Sequence, residues 1–245
     1  MKSALVTGAN KGIGFEVAKI LAQQGFYVYI GSRLPENGAA AVAKLQAQGL
    51  SNIEAVQLDV TDQRSVDASR RIIGQKTGIL DVLVNNAGIA GEYEQSALSS
   101  AVDQYQLVYD TNVFGVVRVT QAFMDLLEKS AAPRIVNVST SMGSLSLAAD
   151  IYNDNYPKRY VVYQSSKTAL NMYTVQLAYE LRHTPFKVNA VCPGWTQTDF
   201  TGHQGTSTPE EAGQRIAKYA LIGEEGPTGQ YFSEEYFAAP ANCPW

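Results

Sequence analysis

Tyr163 and Lys167 stand four residues apart in Tyr163-Gln164-Ser165-Ser166-Lys167. On a helix that step puts the phenol and the ammonium on one face, about 40° apart around the axis. A phenol held beside a fixed positive charge can ionise below its ordinary value of about 10, so the pair reads as a proton donor and acceptor with its tuner. A half-buried ring beside a solvated charge has the same spacing, so other residues must decide. The first of these are Thr7-Gly8-Ala9-Asn10-Lys11-Gly12-Ile13-Gly14, which follow an apolar strand pattern and open a helical one. Gly8 permits a tight turn, Gly12 lets the backbone approach a pyrophosphate, and Gly14 lets helix and strand pack closely, with the helix amino end favouring negative charge. The turn lacks the Gly-Lys-Ser/Thr ending of a nucleotide-hydrolase loop, so a dinucleotide is the expected ligand.

The end of the second strand pattern bears on which dinucleotide. An NAD-selecting site carries an acid there, whereas this chain reads Ile30-Gly31-Ser32-Arg33. Arg33 can grip a 2′-phosphate, with Lys11 as a second cation and Ser32 as a hydrogen-bond donor, so NADPH/NADP+ is expected over NADH.

The elements that must position these groups alternate. Strand patterns fall at Ala4–Thr7, Tyr27–Ile30, Ile53–Leu58, Val82–Asn85, Ile135–Ser139 and Val188–Val191. Helical patterns fall between and after them, at Ile13–Gln24, Ala39–Gln48, Ser65–Thr77, Val102–Lys129, Tyr160–Arg182 and Pro209–Ile222. Near-continuous apolar strands joined by helical crossovers imply an α/β fold, a Rossmann-type doubly wound parallel sheet of about seven strands with helices on both faces. Its ligand crevice lies at the carboxyl ends of the strands. With 245 residues and 45% hydrophobic content, the chain can bury one core, and residues 1–245 read as a single domain.

Charged residues make up 17% of the chain and the formal net charge is −4, without basic clusters, so neither nucleic acid nor a membrane surface is an expected partner. No apolar run has the roughly 20 residues needed to span a bilayer, and a strand pattern begins at once, so a cytoplasmic protein is expected. Cys192 and Cys243 are the only cysteines and His183 and His203 the only histidines. Their separation excludes a disulfide framework and a zinc cluster; reduced thiols and ordinary surface histidines are expected, with no metal site.

With these residues assembled, the chain resembles the classical short-chain dehydrogenase/reductase family along essentially its whole length. The resemblance rests on the glycine turn, Asp59-Val60, Asn85-Asn86-Ala87-Gly88, Asn112, Tyr163 with Lys167, and Pro193-Gly194, in the family's order. Asn10-Lys11, Cys192-Pro193-Gly194-Trp195, Gly226-Pro227-Thr228-Gly229 and Pro244-Trp245 are similar to the NADPH-dependent carbonyl reductase branch. The resemblance implies that Asp59 and Val60 flank the adenine and that Asn86, Ala87 and Gly88 line the ribose and nicotinamide side. Pro193, Gly194, Trp195, Thr196 and Thr198 are implied to orient the nicotinamide carboxamide. Trp195 would border the substrate pocket, although a core aromatic has the same look in sequence.

The resemblance also implies a catalytic set of Asn112, a hydroxyl, Tyr163 and Lys167. Tyr163 would give its proton to a carbonyl oxygen while the nicotinamide gives hydride to the carbon. Lys167 would lower the phenol pKa and hold the ribose. Asn112, interrupting a long helical segment, would hold a water in a distorted turn. The hydroxyl departs from the family's Asn-x-Ser-Ser: here Asn137-Val138-Ser139-Thr140 puts Thr140 in the aligned place, with Ser139 and then Ser141 as alternatives.

Residues 141–162 are longer than the family's usual spacing. The stretch Asp150-Ile151-Tyr152-Asn153-Asp154-Asn155-Tyr156-Pro157 is expected to cap the substrate pocket. Such a segment can cover a helical face used for dimerisation, so monomer and homo-oligomer both stay open. Tyr93, Tyr152, Tyr156, Trp195 and Phe200 favour an apolar or aromatic small-molecule carbonyl substrate. The expected activity is carbonyl reduction. Alcohol oxidation by the same groups, an epimerase or dehydratase, and an idle NADPH-binding sensor or scaffold are the alternatives.

Overall fold

Alternation along β1 (Ser3–Thr7) creates two faces at once: Ala4 and Val6 join one apolar cluster and Leu5 the other, all fully buried. In this computed structural model, which describes residues 1–152 and 159–245, each face is covered by helices. On the Val6 side lie α1 (Gly12–Gln23), α2 (Pro35–Gln46) and α8 (Pro209–Ala220), packed through Val17, Leu21, Leu45 and Ile216. On the Leu5 side lie α3 (Gln63–Lys76), α5 (Gly115–Leu127) and α7 (Val161–Glu180), packed through Val66, Ile73, Phe123 and Leu177.

The remaining strands are β2 (Tyr27–Ser32), β3 (Ile53–Gln57), β4 (Val82–Asn85), β5 (Arg134–Val138), β6 (Lys187–Val191) and β7 (Tyr231–Phe232). They form one seven-stranded sheet in the order β3-β2-β1-β4-β5-β6-β7, every pairing parallel. Leu5 faces Tyr29 on one side and Leu83 on the other. The direction of winding reverses between β1 and β4, and a crevice opens at the carboxyl ends of the strands there.

Several boundaries differ from the sequence reading, each for a local reason. Helix α2 starts at Pro35 rather than Ala39, because a proline in the first turn has no N–H to leave unpaired. Helix α3 starts at Gln63 because the Asp62 carboxylate accepts from Arg64 N–H at 2.9 Å. The long segment expected over Val102–Lys129 divides into α4 (Val102–Tyr109), a π-helical turn at Asp110–Phe114, and α5. Gly115 sits where a Cβ would come within 2.8 Å of Val60 Cγ2.

Strand β7 has no counterpart among the sequence patterns, since two residues cannot display an alternation. It is held by stacking of Tyr231 on Trp245 and of Phe232 on Tyr219. Its outer side is covered by an antiparallel bridge between Phe232 and Asn242, with Ser233 N–H donating to Ala241 O and Cys243 N–H to Tyr231 O.

After β5 come a 3₁₀ turn at Ser141–Gly143 and α6 (Leu145–Ala148). Of the segment expected to cap the pocket, residues 153–158, including Tyr156, lie outside the described residues. Ile151 and Tyr152 are exposed. Among the described residues, no helix is long and apolar enough to cross a membrane.

Candidate active site

A cleft of about 2760 Å³ runs along the carboxyl ends of the strands, from Arg33 and Asp59 at one end to Trp195, Phe200 and Phe237 at the other. It brings together every residue expected to bind cofactor: Gly8, Asn10, Lys11, Gly12, Ile13, Gly14, Ser32, Arg33, Asp59, Val60, Asn86, Ala87, Gly88, Tyr163, Lys167, Pro193, Gly194, Trp195, Thr196 and Thr198. In the glycine turn, Gly8 and Gly12 have φ of 63° and 58°, the left-handed region where side chains strain the backbone. A Cβ on Gly14 would lie 2.4 Å from Asn86 Nδ2 and 2.8 Å from Gly8 O. No side chain caps α1, so its first N–H groups face the cleft, a cradle that fits a pyrophosphate.

Thr7 and Asn86 hold this turn to the centre of the sheet. Thr7 Oγ1 accepts from the N–H groups of Asn86 and Ala87 at 3.0 Å each, and Asn86 Nδ2 donates to Thr7 O at 2.9 Å and Gly8 O at 3.2 Å. Asn85 is buried, its Nδ2 donating to Thr120 Oγ1 and Asn137 Oδ1, which makes it a tie between strands rather than a wall of the cleft. Asp59, which lines the cleft, accepts at Oδ1 from the N–H and hydroxyl of Thr61.

The two cations expected at the 2′-phosphate end are not alike. Arg33 is exposed at the cleft edge. Lys11 instead forms an ion pair with Asp199 at 2.6 Å, across the cleft. His203 Nε2 joins the same carboxylate through Oδ1 at 3.1 Å. Ser32 is buried and donates to Leu34 O, so its hydroxyl is engaged in the turn after β2.

On α7, Tyr163 and Lys167 share one face as the spacing requires. Lys167 Nζ lies 5.9 Å from the Tyr163 ring centroid and donates to Val138 O at 2.8 Å. Burial pulls the Lys167 amine down to about 8, against the opposing influence of the Cys192 thiol. The expected lowering of the phenol pKa is not what this geometry gives. Loss of solvent raises the Tyr163 phenol well above its ordinary value, Cys192 adds to the rise, and a hydrogen bond with Thr140 opposes it. At neutral pH the phenol therefore holds its proton. Phe200 packs against its ring at a centroid distance of 5.5 Å.

Among the three candidate hydroxyls, Thr140 is the one beside the phenol. The pleat of β5 continues one residue past the strand, as Ser139 N–H donates to Val191 O at 2.8 Å. Ser139 consequently points away and donates to Asn171 Oδ1 at 2.6 Å. Ser141 is buried at the start of the 3₁₀ turn.

Asn112 is fully buried in the π-helical turn, with its amide engaged. Oδ1 accepts from Ile89 N–H at 2.9 Å, while Nδ2 donates to Ile89 O at 2.9 Å and Ser166 Oγ at 3.0 Å. Both amide hydrogens are thus used, and the side chain ties the chain after β4 to α7.

Three residues absent from the sequence reading hold the substrate side. Glu235 accepts from Trp195 N–H at 2.6 Å and Ser207 Oγ at 3.1 Å, and also from Thr206 Oγ1. Arg215 donates to Pro193 O at 2.7 Å and Ser207 Oγ at 2.9 Å. Gln95 reaches α7 from the loop after β4. Trp195, 48% exposed on the cleft, is a wall and not a core ring. Met142, Leu147 and Phe237 add apolar surface, whereas Tyr152 lies away from the cleft.

A family model described as short chain dehydrogenase matches residues 2–208. (−)-Isopiperitenone reductase of Mentha piperita is 34% identical over 303 residues, covering 95% of this chain and 96% of that relative. The structure of salutaridine reductase from Papaver somniferum matches with a TM-score of 0.84 at 31% identity, covering 96% of this chain and 100% of that one. An NADPH-bound carbonyl reductase from chicken fatty liver matches with a TM-score of 0.85 at 28% identity, covering 100% of this chain and 99% of that one.

Proposed function

The chain belongs to the short-chain dehydrogenase family, and we propose that it is an NADPH-dependent reductase of small-molecule ketones and aldehydes with Tyr163 as the proton donor. The observation that carries this reading is the Tyr163 phenol on the cleft, with Lys167 on the same helix face and Thr140 beside it. A protonated phenol suits reduction at neutral pH, where a carbonyl oxygen must gain a proton; alcohol oxidation would need the phenolate. Thr140 can donate to the same carbonyl oxygen, and a single donor of this kind contributes on the order of 3 kcal/mol to the transition state. Lys167 holds positive charge behind the phenol below a pH of about 8 and, as the family resemblance implies, would bind the nicotinamide ribose.

The α1 amino end would hold the pyrophosphate, Arg33 the 2′-phosphate and Asp59 the adenine. With these residues holding it, a nicotinamide cofactor would supply the hydride that the carbonyl carbon gains. Support for NADPH comes from the exposed Arg33, the missing acid at the β2 tip and the NADPH-bound carbonyl reductase neighbour. Support for apolar ketone substrates comes from the walls at Trp195, Phe200, Met142 and Leu147, and from the isopiperitenone and salutaridine reductases among the relatives.

The test is a panel of apolar and aryl ketones and aldehydes, followed by NADPH absorbance with the parent protein and with Tyr163→Phe. The substitution is expected to lower kcat by roughly 10²- to 10⁴-fold. Turnover that survives it would remove Tyr163 from the acid role, and a parent that reduces no carbonyl would end the reductase reading.

A further inference from the structure

Tyr163 belongs to the first turn of α7 (Val161–Glu180). The preceding residue is Tyr160, whose side chain makes no cap bond. The first N–H groups of a helix have no partner within it and must find acceptors elsewhere. Tyr160 N–H goes to Gln164 Oε1 at 2.8 Å, and Gln164 N–H to Tyr160 O at 2.7 Å. Val162 and Tyr163 are served from outside the helix. Gln95 Oε1 accepts from Val162 N–H at 2.9 Å and from Tyr163 N–H at 3.0 Å, across separations of 67 and 68 residues.

The same amide holds its own loop. Gln95 Nε2 donates to Ala90 O and Glu92 O, each at 2.7 Å. A neutral amide has two acceptor sites and two hydrogens, and all four are in use. Glu92, Tyr93, Glu94 and Ser96 around it are exposed, while Gln95 itself is half-buried. This loop lines the substrate side of the cleft, and a smaller recess of about 420 Å³ opens beside it between Tyr93, Leu107 and Phe200. Phe200 in turn packs on the Tyr163 ring.

We propose that Gln95 is a positioning residue: it fixes the main chain of the proton donor and couples that position to the substrate-facing loop at residues 89–95. The α7 face of the amide sets where the phenol sits, and the loop face sets the wall a substrate meets. The role in turnover rests on the reductase reading of Tyr163; the capping contact does not.

Two substitutions separate the faces. Gln95→Met keeps the length and removes all four hydrogen bonds. Gln95→Glu keeps acceptors for Val162 and Tyr163, at a helix end that favours negative charge, and loses both donors to the loop. Because small misplacement of a reacting group is costly, Gln95→Met is expected to lower kcat by roughly 10- to 100-fold while NADPH affinity, read by fluorescence titration, stays within about twofold. Gln95→Glu is expected to recover most of kcat and to raise the ketone KM by roughly three- to tenfold. Hydrogen exchange at the amides of residues 162 and 163 should quicken in Gln95→Met and stay slow in Gln95→Glu.

The proposal is overturned by a Gln95→Met kcat within twofold of the parent, by equal losses of kcat and NADPH affinity, or by unchanged exchange at those two amides. A parent protein that reduces no ketone sinks the reductase reading, and the exchange comparison then decides the capping role separately. If Gln95→Met does not fold, Gln95→Glu against the parent still decides: raised KM with slow exchange supports the coupling, and an unchanged KM removes it.

Discussion

The turn after β1 and the loops after β4 and β6 serve the same cleft but are built by different means. The first is shaped by the backbone of one short stretch, where Gly8 and Gly12 take φ of 63° and 58° and Gly14 leaves no room for a methyl group, and is only tied to the sheet by the Asn86 amide. The second is held by side chains that reach main-chain atoms far away in sequence, such as Gln95 on Tyr163 and Glu235 on Trp195. A site made by local conformation is carried by residue spacing, whereas a site made by distant hydrogen bonds exists only once the chain is folded. The cofactor half should therefore break when space is filled and the substrate half when a polar partner is removed.

The strongest test of that contrast is Gly14→Ala. Its added methyl meets Asn86 Nδ2 and the Gly8 carbonyl, and overpacking of this kind costs about 1–3 kcal/mol. NADPH affinity, measured by fluorescence titration, should fall by roughly tenfold or more. Unchanged affinity would mean that the turn adapts and that its glycines are not what shapes the cradle.

A smaller effect is expected from Glu235→Ala on the other side. Removing the carboxylate takes the acceptor from the exposed Trp195 N–H, at a cost of about 0.5–1.5 kcal/mol. The melting temperature should drop by roughly 2–4 °C for each kcal/mol, with the ketone KM rising and NADPH affinity little changed. Loss of NADPH affinity equal to the change in KM would dissolve the distinction between the two regions.

The smallest effect is expected where the regions touch. Asp199→Asn releases Lys11 from its exposed ion pair. If Lys11 then reaches the 2′-phosphate, NADPH should bind roughly two- to threefold more tightly at low salt while NADH is unaffected, the gain disappearing as salt is added. Equal changes for both dinucleotides would place Lys11 outside phosphate recognition.

The fold was legible wherever a run was long enough to show a period. Six of the seven strands announce themselves through apolar stretches, but Tyr231–Phe232 is too short to do so and depends on Trp245 and Tyr219 for its place. The division of the long helical segment was visible only as an Asn at position 112; that the turn is π-helical, and that the Asn112 amide is used on Ile89 and Ser166, follows from tertiary contacts. Alternation along β5 correctly separates Ser139 from Thr140, because the pleat persists to Ser139. The charge of Lys11 was visible in the sequence, but its ion-pair partner Asp199, 188 residues away, was not. The raised phenol pKa of Tyr163 also escaped the sequence, since proximity to Lys167 can be counted in residues whereas dehydration around a ring cannot.

The antiparallel contact that residues 241–243 make along β7 has a consequence for how copies of this protein can meet. A bare terminal strand offers a ladder of free amide and carbonyl groups onto which a foreign strand can add. Here Ser233 N–H and Tyr231 O already have partners from the same chain, so that flank cannot be prolonged into an intermolecular sheet unless the tail is peeled away first.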